Sequence, residues 1–201
     1  IEKLYDLKPR RLVQVGYGLL DEMTEAWENT PKAPHEKKTI LVAPSWQKDN
    51  IMDSCIDQLI EQFLRPGFRL IIRPQPQYVR LYGEKIEGLQ SRYKDKLGED
   101  FILQTDFSST DTVYSADLLV TDWSNVGFEF ALSTLKPVLY INTPMKIMNP
   151  EYDKIDVVPF DIRIRGQLGG ELELSELDRA GDVAQDLLSR PEEFRETIQI
   201  G

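Results

Sequence analysis

Short apolar runs rich in β-branched residues alternate with longer amphipathic stretches along most of this chain, and no other feature narrows the fold as far. Leu12-Val13-Gln14-Val15, Thr39 to Ala43, Phe68 to Ile72, Phe101 to Gln104, Asp117 to Thr121 and Pro137 to Ile141 read as strands. Helical spacing runs from Leu19 to Trp27, from a cap at Asp49 or Asn50 to Phe63, and from about Tyr78 to Lys94. It recurs from Thr110 to Ser115 and from Ser124 to Leu135. The strands are continuously apolar, as they are when helices cover both faces of a sheet. Alternation of this length implies right-handed crossovers, hence an α/β fold with a doubly wound, Rossmann-like parallel sheet.

After Asn142 the regularity fades, and Pro144, Asn149-Pro150 and Pro159 mark irregular chain. The tail returns to helix: Ser175 with Asp178 three residues on reads as a capping box, and Pro191 opens a last helix as its first residue. The expected layout is a single domain over residues 1–201. Its sheet core lies at about 12–141, with an irregular segment plus C-terminal helices at 142–201. The chain starts at Ile1 within a charged, helix-compatible stretch (Glu2, Lys3, Asp6, Lys8), which reads as part of a longer protein.

Composition limits what such a domain binds. Its 24 Lys+Arg against 34 Asp+Glu give 24 − 34 = −10, which argues against nucleic-acid partners and a polybasic membrane patch. A single cysteine, Cys55, excludes an internal disulfide, and with the single histidine, His35, it excludes a zinc site of several such ligands. His35 falls in a lysine- and proline-rich loop from Asn29 to Lys38 and reads as a surface residue. No apolar run approaches the roughly 20 residues that cross a bilayer.

Ligands of such sheets bind outside the carboxyl ends of the strands, so the loops that follow strands carry the chemistry. Gly16-Tyr17-Gly18 lacks the third glycine of a dinucleotide fingerprint and has Asp21 in its place, so it reads as a tight strand-to-helix turn. Ala43-Pro44-Ser45-Trp46-Gln47 offers a hydroxyl and a large aromatic, although Trp46 folding back onto the core is an equal reading. Arg73-Pro74-Gln75-Pro76 ends an apolar strand with a guanidinium suited to phosphate, or to a structural ion pair.

The fourth loop is the most specific. Thr121-Asp122-Trp123-Ser124-Asn125 joins a buried strand to a helix within a few residues. Free amides at the helix tip, its dipole and the side chains of Ser124 and Asn125 make an anion cradle, whether or not the two also cap the helix. Glu129 lies one turn deeper on the face of Asn125, where a carboxylate can accept both hydroxyls of a ribose.

The set "VGYGLLD", "ILVAPSWQ", "LIIRPQP", "DFSSTDTVYSADLLVTDWSNVGFEFA" and "KPVLYI" resembles the C-terminal half of the CDP-glycerol glycerophosphotransferases, from about Leu12 to Ile141. These are the teichoic-acid primases and polymerases and their relatives in bacterial surface-glycan gene clusters. The resemblance implies a GT-B-type transferase of two Rossmann-like domains, with this chain the donor-binding half. The N-terminal acceptor domain, with the histidine of a His-Gly element, would lie outside it. Ser124 and Asn125 would hold the pyrophosphate, where the family usually shows two serines, with Asp122 in the same element. Arg73 would match the arginine of an Arg-x-His-Pro loop, and Gln75 stands in place of that loop's histidine. Glutamine still donates a hydrogen bond but carries no proton or charge, so Gln75 and Arg73 are the only catalytic candidates of this chain. Asp106, Ser109 and Asp111 lie in the loop that approaches the nucleotide.

The implied reaction moves glycerol phosphate, or a similar alditol phosphate, from a CDP-activated donor to a glycan or polyol-phosphate acceptor. A divalent cation is compatible with this but not required, since a helix tip and an arginine do part of a cation's work. The implied location is cytoplasmic, at the inner face of a bacterial membrane, with any membrane attachment through parts outside this chain. Two other readings keep the fold: a glycosyltransferase or UDP-sugar epimerase-like enzyme, and a non-catalytic nucleotide-binding domain.

Overall fold

The computed structural model describes residues 2, 5–11, 13–31 and 36–200, without the side chains of 199 and 200. Within these, six parallel strands form one sheet: β1 (Lys38–Val42), β2 (Phe68–Ile72), β3 (Phe101–Leu103), β4 (Leu118–Thr121), β5 (Val138–Asn142) and β6 (Gly169–Glu173). Their spatial order is β3-β2-β1-β4-β5-β6, so strand order reverses between β1 and β4. That reversal is the switch point where open α/β sheets take their ligands. Ile40, Leu41, Val42, Leu70, Ile71, Ile72, Leu118, Leu119, Val120, Val138, Leu139 and Ile141 are all fully buried. Alternate residues on both faces are inside, so the core is two-sided, as the continuous apolar runs require.

The helices are α1 (Gly18–Asn29), α2 (Ile51–Ser54), α3 (Ile56–Phe63), α4 (Pro76–Leu81), α5 (Gly83–Arg92), α6 (Asp111–Ser115) and α7 (Val126–Thr134). They are followed by α8 (Phe160–Arg163), α9 (Arg165–Leu168), α10 (Ala180–Ser189) and α11 (Pro191–Ile200). Asn50 caps α2 by accepting the Asp53 amide. Two stretches expected as single helices are broken: one at Cys55, with φ −156°, and one at Tyr82, with φ −126°. Burial pushes the Cys55 thiol up to about 12, so it is an inert core residue.

Three expectations fail. Leu12 lies outside the described residues, but residues 13–17 form no strand, and Val13 and Val15 are 67% and 84% exposed. The positions beside β1 are filled by β2 and β4, so this short run has no partner there, and Gly16-Tyr17-Gly18 is no strand-to-helix turn. The edge strand β6 was not foreseen, because Gly169-Gly170-Glu171-Leu172-Glu173 has no β-branched residue and buries only Leu172. A Cβ on Gly169 would lie 1.8 Å from the Val138 carbonyl oxygen, so glycine permits this pairing. The capping box is formed by Glu173 and Glu176 around a 3-10 turn at Leu174–Arg179, not by Ser175 and Asp178. The chain leaves β6 at Glu173, two residues earlier than the Ser175 pattern suggests. His35 lies outside the described residues.

Candidate functional site

The carboxyl ends of β1 and β4 are joined by buried polar groups. Thr121 donates its hydroxyl to the Ala43 carbonyl at 2.7 Å. Asp122, fully buried, accepts the Ser45 amide at 2.7 Å and the Ile51 amide at 3.1 Å. Its carboxylate therefore pins the loop after β1 and the start of α2. Asp122, named with the phosphate-binding residues, is thus turned inward, where its carboxylate pairs two orphan amides and stays away from an anion.

Around this pin the other candidates take their places. Among the described residues the buried Ser45 hydroxyl has no hydrogen-bond partner, and the same holds for the Gln47 side-chain oxygen. The Gln47 amide nitrogen donates to the Pro144 carbonyl at 3.2 Å, tying the β1 loop to the β5 loop. Trp46 does not fold onto the core: it is 40% exposed, with the Lys146 ammonium 5.0 Å from its ring centre. Lys146 also borders a cavity of about 1310 Å³ between the N-terminal segment and residues 145–162, walled by Leu7, Ile147, Met148, Ile155 and Val157. This apolar cavity lies beside the polar switch point rather than in it.

The start of α7 is open. Asn125 is exposed and makes no side-chain cap, and Ser124 Oγ reaches the Val126 amide only at 3.5 Å. The Gly127 amide donates to the Ser124 carbonyl at 3.2 Å, while the Val126 amide, held only by that long contact, keeps capacity for an anion. Packing brings this tip close to the sheet, because a Cβ on Gly127 would lie 2.7 Å from the Tyr140 ring. One turn further, Glu129 accepts the Tyr17 hydroxyl at 2.6 Å, a bond that raises the phenol's pKa. Tyr17 belongs to the segment misread as a turn, and it places a hydroxyl where a ribose hydroxyl was expected.

A second group gathers two strands away, about 10 Å from β4 by sheet spacing. Arg73 extends past β2, with its guanidinium 5.2 Å from the Phe107 ring centre and Nη2 donating to the Ser109 carbonyl at 3.2 Å. Its Nε is buried without a partner, and burial lowers its pKa. No ion pair engages it among the described residues. Ser109 Oγ accepts the Asp111 amide at 3.0 Å, and Asp106 accepts both the amide and hydroxyl of Ser108. The two Ser108 bonds hold the Asp106 carboxyl below the usual carboxylate range. Gln75 caps α4: its side-chain oxygen accepts the Gln77 amide at 2.6 Å, with Pro76 at the first helical position. Its amide group remains a donor.

Sequence reasoning missed Arg165. It is 3% exposed, and Nη2 donates to the Asp122 carbonyl at 3.0 Å. Its guanidinium stacks 4.0 Å from the Trp123 ring centre and 4.6 Å from that of Tyr140. Nothing in the irregular stretch that contains it signals burial. Among the described residues no three His, Cys, Asp or Glu side chains gather as a metal site. No helix among them is long and apolar enough to cross a membrane.

Comparison with known proteins decides the family. Residues 1–147 match the family model described as CDP-Glycerol:Poly(glycerophosphate) glycerophosphotransferase. The chain belongs to this family. It is 26% identical over 165 residues to the teichoic acid glycerol-phosphate primase of Bacillus subtilis (strain 168), covering 77% of this chain and 39% of that protein. The same-named primase of Bacillus spizizenii is 29% identical over 157 residues, covering 74% and 38%. The chain thus spans about two fifths of the length of these relatives. Among solved structures, the wall teichoic acid polymerase TagF superposes with a TM-score of 0.54 at 19% identity, covering 98% of this chain and 46% of that one. MurG of Acinetobacter baumannii superposes with a TM-score of 0.55 at 12% identity, covering 96% and 53%. The shared fold is the Rossmann-like sheet of GT-B transferases.

Proposed function

We propose that this chain is the donor-binding domain of a transferase that moves glycerol phosphate, or a similar alditol phosphate, from a CDP-activated donor to an acceptor hydroxyl. The observation that carries this reading is the open start of α7 at the β1/β4 switch point, beside the buried, unpartnered hydroxyl of Ser45. Membership of the glycerophosphotransferase family and the names of the relatives support it.

In this reading the acceptor hydroxyl attacks the β-phosphorus, the bond to the bridging oxygen breaks, and CMP leaves with that oxygen. The α7 amides with Ser124, Asn125 and Ser45 hold the pyrophosphate, and Arg73 neutralises charge from the β2 side. Gln75 donates its amide N–H to a phosphate oxygen while its oxygen stays on the α4 cap. Glu129 accepts a ribose hydroxyl at Oε2, the oxygen that the Tyr17 hydroxyl leaves free, Trp46 lines the crevice, and Asp106, Ser109 and Asp111 flank the nucleoside. The base that removes the acceptor's proton comes from outside this chain, and no resident cation is needed. The partners are a CDP-linked donor and a glycan or polyol-phosphate acceptor, at the inner face of a bacterial membrane.

Calorimetric titration with CDP-glycerol and with UDP-sugars tests the reading. CDP-glycerol is expected to bind, and tight UDP-sugar binding without a CDP response would overturn it. Replacing Ser124 and Asn125 together by Ala is expected to weaken CDP-glycerol several-fold or more, each charge-assisted bond contributing roughly 1.5–3 kcal/mol. Unchanged affinity removes the cradle. Glu129→Gln should weaken ribonucleotides more than their 2′,3′-dideoxy analogues, and equal losses remove the ribose role.

A further inference from the structure

Arg165 is a buried cation without an ion-pair partner among the described residues. Asp122, Asp161 and Glu171 act on it only through space, and its Nε has no hydrogen-bond partner. A buried charge is costly unless something compensates it. Here the compensation within the chain is two ring faces, the Asp122 carbonyl and the Asn142 side-chain oxygen at 3.4 Å. None of these carries a full negative charge. Burial accordingly lowers the pKa of Arg165, though a guanidinium stays charged at neutral pH.

The residue's place gives the cation a use. Its guanidinium lies on the Tyr140 ring, and the same ring packs under Gly127 in the first turn of α7. It also holds the carbonyl of Asp122, two residues before Ser124. By chain geometry it is within about 10 Å of the open first-turn amides. A fixed positive charge under a helix start adds to the positive end of the helix dipole, and both favour an anion at the tip.

We propose that Arg165 is a positioning residue for the donor's phosphates: it fixes the Asp122–Asn125 loop and supplies, beneath the start of α7, a buried positive charge that no carboxylate contacts among the described residues. This rests on the donor-site reading above, and it adds a residue from beyond β5 to a site otherwise built from the loops after β1, β2, β3 and β4. Arg165 touches no phosphate itself. Its effect scales with the ligand's charge, which separates it from a residue that merely holds the fold.

The test measures CDP and uncharged cytidine binding by calorimetry to the wild-type chain, Arg165→Met and Arg165→Lys, with melting midpoints recorded for each. At an effective dielectric near 20, losing a unit charge about 10 Å away should weaken CDP roughly tenfold for each negative charge on its diphosphate and leave cytidine within about twofold. Arg165→Lys should recover part of the CDP affinity, since it keeps the charge but not the planar fork. Equal losses for CDP and cytidine, or undiminished CDP affinity in folded Arg165→Met, overturn the proposal. Should Arg165→Met not fold, the wild-type Arg165 Nε–H resonance decides. It should shift on addition of inorganic pyrophosphate and not of cytidine, and indifference to pyrophosphate overturns the proposal. A wild-type chain that binds neither CDP nor pyrophosphate removes the donor-site reading instead. A chain that binds CDP regardless of Arg165 removes this inference alone.

Discussion

Two stretches of the carboxyl edge carry the proposed site, and they are built on opposite plans. The loop after β4 rests on buried groups distant in sequence: Asp122 holds amides of Ser45 and Ile51, and Arg165 holds the Asp122 carbonyl from 43 residues away. The loop after β3 is held mainly by its near neighbours, with Asp106 bonded to Ser108 and Ser109 to Asp111, all exposed, and by one distant bond from Arg73 to the Ser109 carbonyl. The difference separates two tasks. A phosphate cradle gains from being fixed before the ligand arrives, since donors held in place need no reorganisation. A loop made of local Asx-type turns keeps its shape wherever it moves, and suits a flank that adjusts to the nucleoside.

Breaking the buried plan should cost most at Asp122. Asp122→Asn leaves one acceptor for two amides and points an N–H at one of them. The expected loss is about 3 kcal/mol of folding stability, read from urea unfolding, together with loss of CDP binding. A variant as stable as the wild type would show that the β1 and β4 loops are held by something else. Gly127→Ala probes the same plan from the helix side. Its Cβ would fall 2.7 Å from the buried Tyr140 ring, so ring or helix must shift, at about 1–3 kcal/mol. Unaltered stability and CDP affinity would mean that the tip is not fixed by this packing.

The sequence showed one plan better than the other. β1, β2, β4 and β5 were legible because central strands covered on both faces are apolar without interruption, and loop positions follow from strand ends. Ser45, Trp46, Arg73, Ser124 and Asn125 therefore fall in loops at the carboxyl edge of the sheet. What the sequence could not show is direction. In Thr121-Asp122-Trp123-Ser124 nothing distinguishes a carboxylate turned inward from one turned to a ligand, because its partners Ser45 and Ile51 are more than 70 residues away. Arg165 was hidden for the same reason: its burial depends on rings supplied by β5 and the β4 loop. The β6 strand was hidden because an edge strand needs little apolar surface and its glycines are chosen for close approach.

Asp53 stands between the two plans, bonding the Tyr78 hydroxyl at 2.7 Å and the Lys85 ammonium across α2, α4 and α5. Burial alone pushes its carboxyl up, but the bonds from Lys85 and Tyr78 outweigh this and hold it below the usual carboxylate range. A carboxylate depressed in the folded state stabilises above its unfolded pKa, and that stability is lost as pH falls through the folded value. Asp53→Asn should therefore unfold at lower urea than the wild type at pH 7, by about 1 kcal/mol after allowing for solvent screening. The gap should close below the ordinary carboxylate range. A gap of equal size in acid would show that the contact acts by packing and not by charge.

The smallest effect is expected in the local plan. In Asp106→Asn the amide oxygen still accepts the Ser108 amide, so the turn survives, and an exposed loop has no buried partner to lose. The melting midpoint should not move, while cytidine affinity should fall about two- to threefold if the loop flanks the nucleoside, each neutral bond contributing roughly 0.5–1.5 kcal/mol. A lowered midpoint is the outcome that would overturn this contrast between the two loops. It would mean that the loop after β3 is anchored as firmly as the loop after β4, and that Arg73, which donates to the Ser109 carbonyl, holds it as Arg165 holds Asp122. Arg73 would then be a second scaffold cation, and the β2 side would face the donor with only the neutral hydrogen-bond donor of the Gln75 amide.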